Sequence, residues 1–275
     1  MFTHAIGMAN GFTFPYIGLR RRSDGEVSSS VGAFVVVNTG GWLMTSGHIV
    51  SEILDRQREC DALAAGTVAP DERATLCADH VEIWAVHGFS ESKPRVVEAM
   101  INPLADLALV RIEPFGLEAI ATYPVLRDTG AHPINQGMSV CRLGYPFHDI
   151  QASYSPANRE FDLAPNAFPV PSFALDGVVS RFHRINSDDA SRGATFIETS
   201  TPGLRGQSGG PLLDIEGRVC GVQSHTTHLD LGFDAHYSDG DCSITERQFL
   251  NVGAATHIDD VRAIMDEAGI EYRAE

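Results

Sequence analysis

The stretch Gly206-Gln207-Ser208-Gly209-Gly210-Pro211 decides how the rest of the chain is read. Glycines on both sides of Ser208 allow a sharp backbone turn and leave room for a carbonyl beside the hydroxyl. A serine hydroxyl is a weak nucleophile near neutral pH. Acyl transfer from it needs a base to take its proton and a carboxylate to orient that base. The upstream sequence supplies a candidate for each role. His48 closes Gly41-Trp42-Leu43-Met44-Thr45-Ser46-Gly47-His48, and Asp106 opens Asp106-Leu107-Ala108-Leu109-Val110. Small residues before His48 let the imidazole approach a cleft, and its ordinary pKa of about 6.5 suits it to take up and return a proton. Asp106 stands at the edge of an apolar run, where it can fix the His48 tautomer and stabilise the imidazolium.

The pattern Gly206-x-Ser208-x-Gly210 also fits the nucleophile elbow of α/β-hydrolases, in which the acid and the histidine follow the serine. Here both precede it, Pro211 comes almost at once, and residues 217–222 read as strand. No series of βα units leads up to the motif, so that fold is set aside.

Working outward, Pro15 to Arg20, Val31 to Asn38, Trp42 to Thr45, Val81 to Val86, Val96 to Ile101 and Leu107 to Ile112 read as strands in the first half. A short helix is expected over 49–54 and a polar surface loop over 57–79. In the second half, strands are expected near 139–143, 175–182, 194–198, 218–223 and 248–255, with long loops at 145–172 and 225–247. Many short strands separated by turn signals point to an all-β chain of antiparallel barrels. The carboxyl end differs. Thr256 and Asp259 make a capping-box-like pair, Val261, Ile264, Met265 and Ala268 form an apolar stripe, and Gly269 ends a helix of about 257–269.

The three segments around His48, Asp106 and Ser208 resemble the chymotrypsin/trypsin-like serine peptidases, closer to the bacterial HtrA/Deg type than to digestive trypsins. The resemblance runs through most of the chain. It implies two six-stranded antiparallel β-barrels with a C-terminal α-helix. Residues 1–118 would carry His48 and Asp106, and residues 119–275 would carry Ser208. It implies a serine endopeptidase that needs no cofactor, with a catalytic triad of His48, Asp106 and Ser208. The amides of Gly206 and Ser208 would form an oxyanion hole, each donor worth about 2.7–4 kcal/mol of transition-state stabilisation. Gln207 replaces the aspartate that precedes the serine in digestive enzymes, so activation by amino-terminal cleavage is not expected. Pro202, Gln223, Ser224 and His225 are candidate pocket residues. Pro202 stands where trypsin-like specificity would place an aspartate, Gln223 where glutamate-specific relatives place a histidine, and Ser224 where a serine commonly bonds the catalytic aspartate. A small or medium uncharged residue is therefore the expected preference. A rival reading is a latent or non-proteolytic protein-binding module that needs an activating partner.

The formal net charge of −16 argues against non-specific nucleic-acid binding, which needs clustered cations. The run Arg20-Arg21-Arg22 reads as a solvated edge. No apolar run approaches the roughly 18 residues of a membrane span. The amino terminus lacks the pattern of a secretory signal. Five cysteines leave at least one unpaired, and Ile49 and Val50 follow His48 where secreted relatives commonly place one. A cytoplasmic setting is the resulting expectation, with a bridge between Cys60 and Cys77 as the counter-argument. His225, His228 and His236, with Asp230, Asp234 and Cys242 nearby, complete no zinc signature, so no metal is expected. Partners are a protein or peptide substrate, with no nucleic acid and no membrane.

Overall fold

A computed structural model describes residues 1–69, 71–85, 94–116, 120, 122–186, 193–239 and 242–275, apart from the side chains at 239 and 242. The first half contains α1 (Thr3–Ala9), β1 (Thr13–Arg22), β2 (Val27–Val36), β3 (Trp42–Ser46), α2 (Gly47–Ala65), β4 (Cys77–Trp84), β5 (Arg95–Asn102) and β6 (Leu107–Glu113). Its strands make an antiparallel sheet in the order β4-β1-β2-β3-β6-β5. The apolar end of β2 explains that sheet's core. Phe34 and Val36 are buried with Phe14, Leu43 and Trp84, and the Phe34 and Trp84 rings meet edge to face at 5.3 Å.

The second half contains β7 (Val125–Leu126), β8 (Ser139–Gly144), β9 (Ala152–Ser155), β10 (Glu160–Leu163), β11 (Phe173–Ile185), β12 (Ala194–Thr199), β13 (Pro211–Leu213), β14 (Val219–Asp239), β15 (Cys242–His257), α3 (Ile258–Ala268) and β16 (Arg273–Ala274). Eight of these strands share one sheet, in the order β13-β8-β11-β12-β15-β14-β7-β16, and β13 also pairs with β14. β9 and β10 form a separate hairpin. The expectation of two six-stranded barrels therefore gives way to a mostly-β chain with sheets of six and eight strands. The additions are β7 and β16, two-residue strands held by parallel pairing at Val219↔Leu126 and Arg273↔Val125. Segments that short carry no periodic pattern to announce them.

Two other expectations need correction. Helix α2 continues through Ala65 to Gly66 (φ 68°), and β4 begins at Cys77, so helix and strand take up the two ends of the polar loop expected over 57–79. Strong helix formers fill 52–65, and buried Arg56 anchors the helix to Glu52 at 2.5 Å, Ser30 at 3.2 Å and Glu82 at 3.5 Å. At α3 the N-cap is His257, whose Nδ1 accepts from the Asp259 amide at 3.2 Å. Thr256 is buried instead, donating to the Ala105 carbonyl at 2.5 Å across the two halves. The helix does end at Gly269 in the left-handed conformation.

The two halves share a core. Val35, Met44 and Leu109 pack in one cluster with Val140, Leu143 and Ala254. Polar ties cross the same seam. Ser46 Oγ donates to the Gln223 carbonyl at 2.8 Å, and the Ala33 amide donates to the Ser208 carbonyl at 2.8 Å. The arginines of the 20–22 run are paired, with Glu59, Asp79 and Glu26 respectively.

Candidate active site

Strand register brings His48 to Asp106. β3 and β6 pair with Thr45 opposite Ala108 and Ser46 opposite Leu107. The residue after one strand and the residue before the other therefore fall side by side, and the Gly47 amide donates to the Asp106 carbonyl at 2.9 Å. A Cβ at Gly47 would sit 3.0 Å from the Leu107 nitrogen, so the close approach requires glycine. Asp106 adopts φ 46°, a left-handed conformation that aspartate visits more readily than most residues.

The Asp106 carboxylate is the hub. It accepts from the His48 backbone amide at 2.8 Å and from His48 Nδ1 at 2.9 and 3.1 Å. Ser224 Oγ donates to it at 2.5 Å. That hydroxyl has one proton, already committed, so it accepts from His225 Nδ1 at 2.8 Å. The bond to Asp106 holds the His48 pKa above its ordinary value, against partial desolvation, with the charges of Asp106 and Glu52 adding to it. For Asp106, burial pushes upward, but the bonds and charge of His48 and the bond from Ser224 outweigh it and hold the carboxyl below the usual range.

Ser208 lies in the turn between β12 and β13. Gly206 (φ 93°) and Gly209 (φ 84°) occupy the left-handed region, and a Cβ at Gly209 would collide with Ala33 and Thr45. Gln207 is buried and holds the loop, its Oε1 accepting from the Leu204 amide at 3.0 Å. The amides of Gly206 and Ser208 donate to no group among the described residues. Ser208 Oγ donates to the Ser224 carbonyl at 3.2 Å. Ser208 and His48 line one cleft of about 680 Å³, together with Gly32, Tyr145, Phe147 and Arg205.

The candidate pocket residues lie together and are closely packed. Thr226 Oγ1 donates to the Gly203 carbonyl at 2.6 Å, spanning the two walls. The buried Gln223 side chain packs against Gly203 and donates to the His225 carbonyl at 2.9 Å. Pro202 contributes its carbonyl, which accepts from Arg142 at 3.2 Å. Arg142 is a residue that sequence reasoning missed. The available signal was an arginine inside the apolar run 139–143, since charged side chains are rarely buried without a purpose.

His228 and His236, expected in an irregular loop, stand on β14 and bond their cross-strand neighbours Asn251 and Thr245 at 2.6 and 3.1 Å. Cys60 and Cys77 are not bridged. Their sulfurs lie 3.8 Å apart and both are free thiols.

A strand-delivered histidine and aspartate beside a glycine-flanked serine define a trypsin-like peptidase fold. A family model described as trypsin-like peptidase domain matches residues 32–222, and the chain belongs to that family. It is 28% identical over 189 residues to a probable periplasmic serine endoprotease DegP-like of Pseudomonas fluorescens, covering 65% of this chain and 32% of that protein. A protein of the same description from Ectopseudomonas mendocina is 27% identical over 184 residues, with the same shares covered. The chain thus spans about a third of the length of the curated relatives it matches. Two solved structures of the HtrA-type protease AlgW with tripeptide superpose with a TM-score of 0.54 at 17% identity, covering 98% of this chain and 64% of those chains. At that identity the likeness is one of fold. Because the curated relatives are described as periplasmic, the expectation of a cytoplasmic setting is overturned. It leaned on cysteine placement, and a free-thiol count does not identify a compartment.

Proposed function

We propose that the chain is a serine endopeptidase. The observation that carries this reading is the carboxylate hub, with Asp106 holding the His48 ring at 2.9 Å in the cleft that Ser208 also lines. Turning about its Cα–Cβ bond, the Ser208 hydroxyl leaves the Ser224 carbonyl and gives its proton to His48 as it attacks the scissile carbonyl. Asp106 stabilises the imidazolium, and His48 returns the proton to the leaving amine. The Gly206 and Ser208 amides, uncommitted among the described residues, receive the developing oxyanion. Water then releases the acyl group by the same steps in reverse. Residues 1–118 and 119–275 would act as two lobes, with the chemistry at their seam. A periplasmic setting is carried over from the relatives.

One observation favours a second reading, a latent form. Ser208 bonds the Ser224 carbonyl, and Thr226 spans the pocket. In that reading a partner or a substrate opens the site before chemistry. A fluorophosphonate probe separates the two. Labelling of the isolated protein, abolished by Ser208→Ala, supports the peptidase reading. Absence of labelling until a partner is added supports latency.

A further inference from the structure

Arg142 lies on β8 between Cys141 and Leu143, both buried, and is itself only 1% exposed. Its guanidinium packs among residues 201–203, 223 and 253. Nε donates to Gln223 Oε1 at 2.5 Å, and Nη1 donates to Thr201 Oγ1 at 3.0 Å and to the Pro202 carbonyl at 3.2 Å. Nη2 has no hydrogen-bond partner among the described residues. It lies against Gly253, where any side chain would collide with it. All the acceptors are neutral, and no ion pair to Arg142 exists among the described residues. Burial lowers its pKa to about 10, which still leaves it charged at neutral pH.

The other buried arginine of this half is treated differently. Arg127 pairs with the buried carboxylate of Asp214, which also holds Arg218 at 2.7 Å. Burying an unpaired cation is unfavourable, and a donor without an acceptor adds to the cost. Arg142 therefore presents a missing acceptor and a missing negative charge at one place, the floor of the walls beside Ser208.

Resting on the peptidase reading above, we propose that Arg142 is the floor of the primary specificity pocket and selects an acidic side chain, Glu or Asp, at the substrate residue whose carbonyl is attacked. The carboxylate supplies the acceptor that Nη2 lacks and the charge that the guanidinium lacks. A Gln or Asn side chain supplies only the acceptor, and a Lys or Arg side chain meets repulsion. Entry requires Thr226 to release the Gly203 carbonyl and Gln223 to swing from between the walls, where its amide can then add a second donor. This replaces the expectation of an uncharged preference, which rested on the wall residues alone.

The test uses the full chain and fluorogenic tetrapeptides identical except for Glu, Asp, Gln, Ala, Val or Arg at the cleaved residue. Glu or Asp should exceed Gln in kcat/KM by on the order of 10- to 100-fold, because Gln offers the acceptor without the charge that strengthens a hydrogen bond to a guanidinium. In Arg142→Met the ratio of kcat/KM for Glu over Gln should fall to about one, whatever the variant's absolute rates. A ranking led by Ala, Val or Arg in the native chain overturns the proposal, whatever the variant does. Binding gives an independent readout. In Ser208→Ala protein, peptides ending in Glu should bind at least about tenfold more tightly than the same peptides ending in Gln. Equal binding overturns the proposal even if the chain is latent. Failure of the fluorophosphonate to label Ser208 would count against the peptidase reading alone.

Discussion

The two halves of the molecule bring unequal states of readiness to one cleft. The first half delivers a finished unit, with the His48 ring, the Asp106 carboxylate and the start of α2 locked by four short hydrogen bonds that include Ser224 from the second half. The second half delivers a serine bonded to its own neighbour's carbonyl and a pocket bridged by Thr226. The lesson is where flexibility has been left. The placing of His48 against Asp106 follows from sheet register, whereas the bonds of Ser208 and Thr226 are made by hydroxyls that can turn without disturbing a strand.

The comparison can be broken most severely at the hub. Asp106→Asn should lower kcat on the order of 10⁴-fold while leaving KM little changed, since an orienting carboxylate acts mainly through the tautomer of the base. A loss below about tenfold, measured with any peptide the native chain cleaves, would show that the first half does not deliver a finished unit.

Stability offers the next test. Arg127→Met removes one of the two cations on the buried Asp214 carboxylate, leaving Arg218, and should cost about 1.5–3 kcal/mol in urea unfolding. Arg142→Met strands no charge and should cost less, because only neutral acceptors lose a donor. Equal losses would mean that Arg142 is structural in the same sense as Arg127.

The pH profile sharpens the same contrast. The Asp106 bond raises the His48 pKa, and the general base must be neutral, so kcat/KM should fall as pH drops through a value above the ordinary 6.5 or so. In Asp106→Asn the residual activity should lose its acid limb at a lower pH, since the stabilisation of the imidazolium is gone. An unchanged limb would assign it to another group.

The smallest effect is expected at the latch. Thr226→Ala removes one hydrogen bond between the walls and should raise kcat/KM by roughly 2- to 10-fold, the range that a single such bond spans. A decrease would mean that Thr226 contacts substrate.

Much of the candidate site was legible because its determinants are local in sequence. Glycine flanks Ser208, small residues precede His48, and an apolar strand follows Asp106, each within a few positions. Ser224 was legible through family resemblance, and the short bond to Asp106 shows the contact directly. Arg142 was not legible as part of the pocket, because its partners Thr201, Pro202 and Gln223 lie 59 to 81 residues away. In the fold, the strands with buried faces carried clear patterns. The outer part of the β14–β15 ribbon, expected as a loop over 225–247, did not, because Leu231, Phe233, Tyr237 and Ile244 face solvent, and without a buried face no alternation marks a strand. The length of α2 was missed for the opposite reason. Its outward face is polar, and Arg56, which fixes it, resembles a surface residue until Glu52, Ser30 and Glu82 are brought around it.

The β14–β15 ribbon has a mechanical meaning. Thr226 and Gly253 are directly opposite one another at its base, and the same two strands run on to Asp239 and Cys242. The latch and the wall behind the guanidinium are therefore rungs of a single ladder. A displacement of Thr226 is thus a displacement of its rung partner as well, and the slip in pairing between Asp230 and Asp234 divides these basal rungs from the outer ribbon.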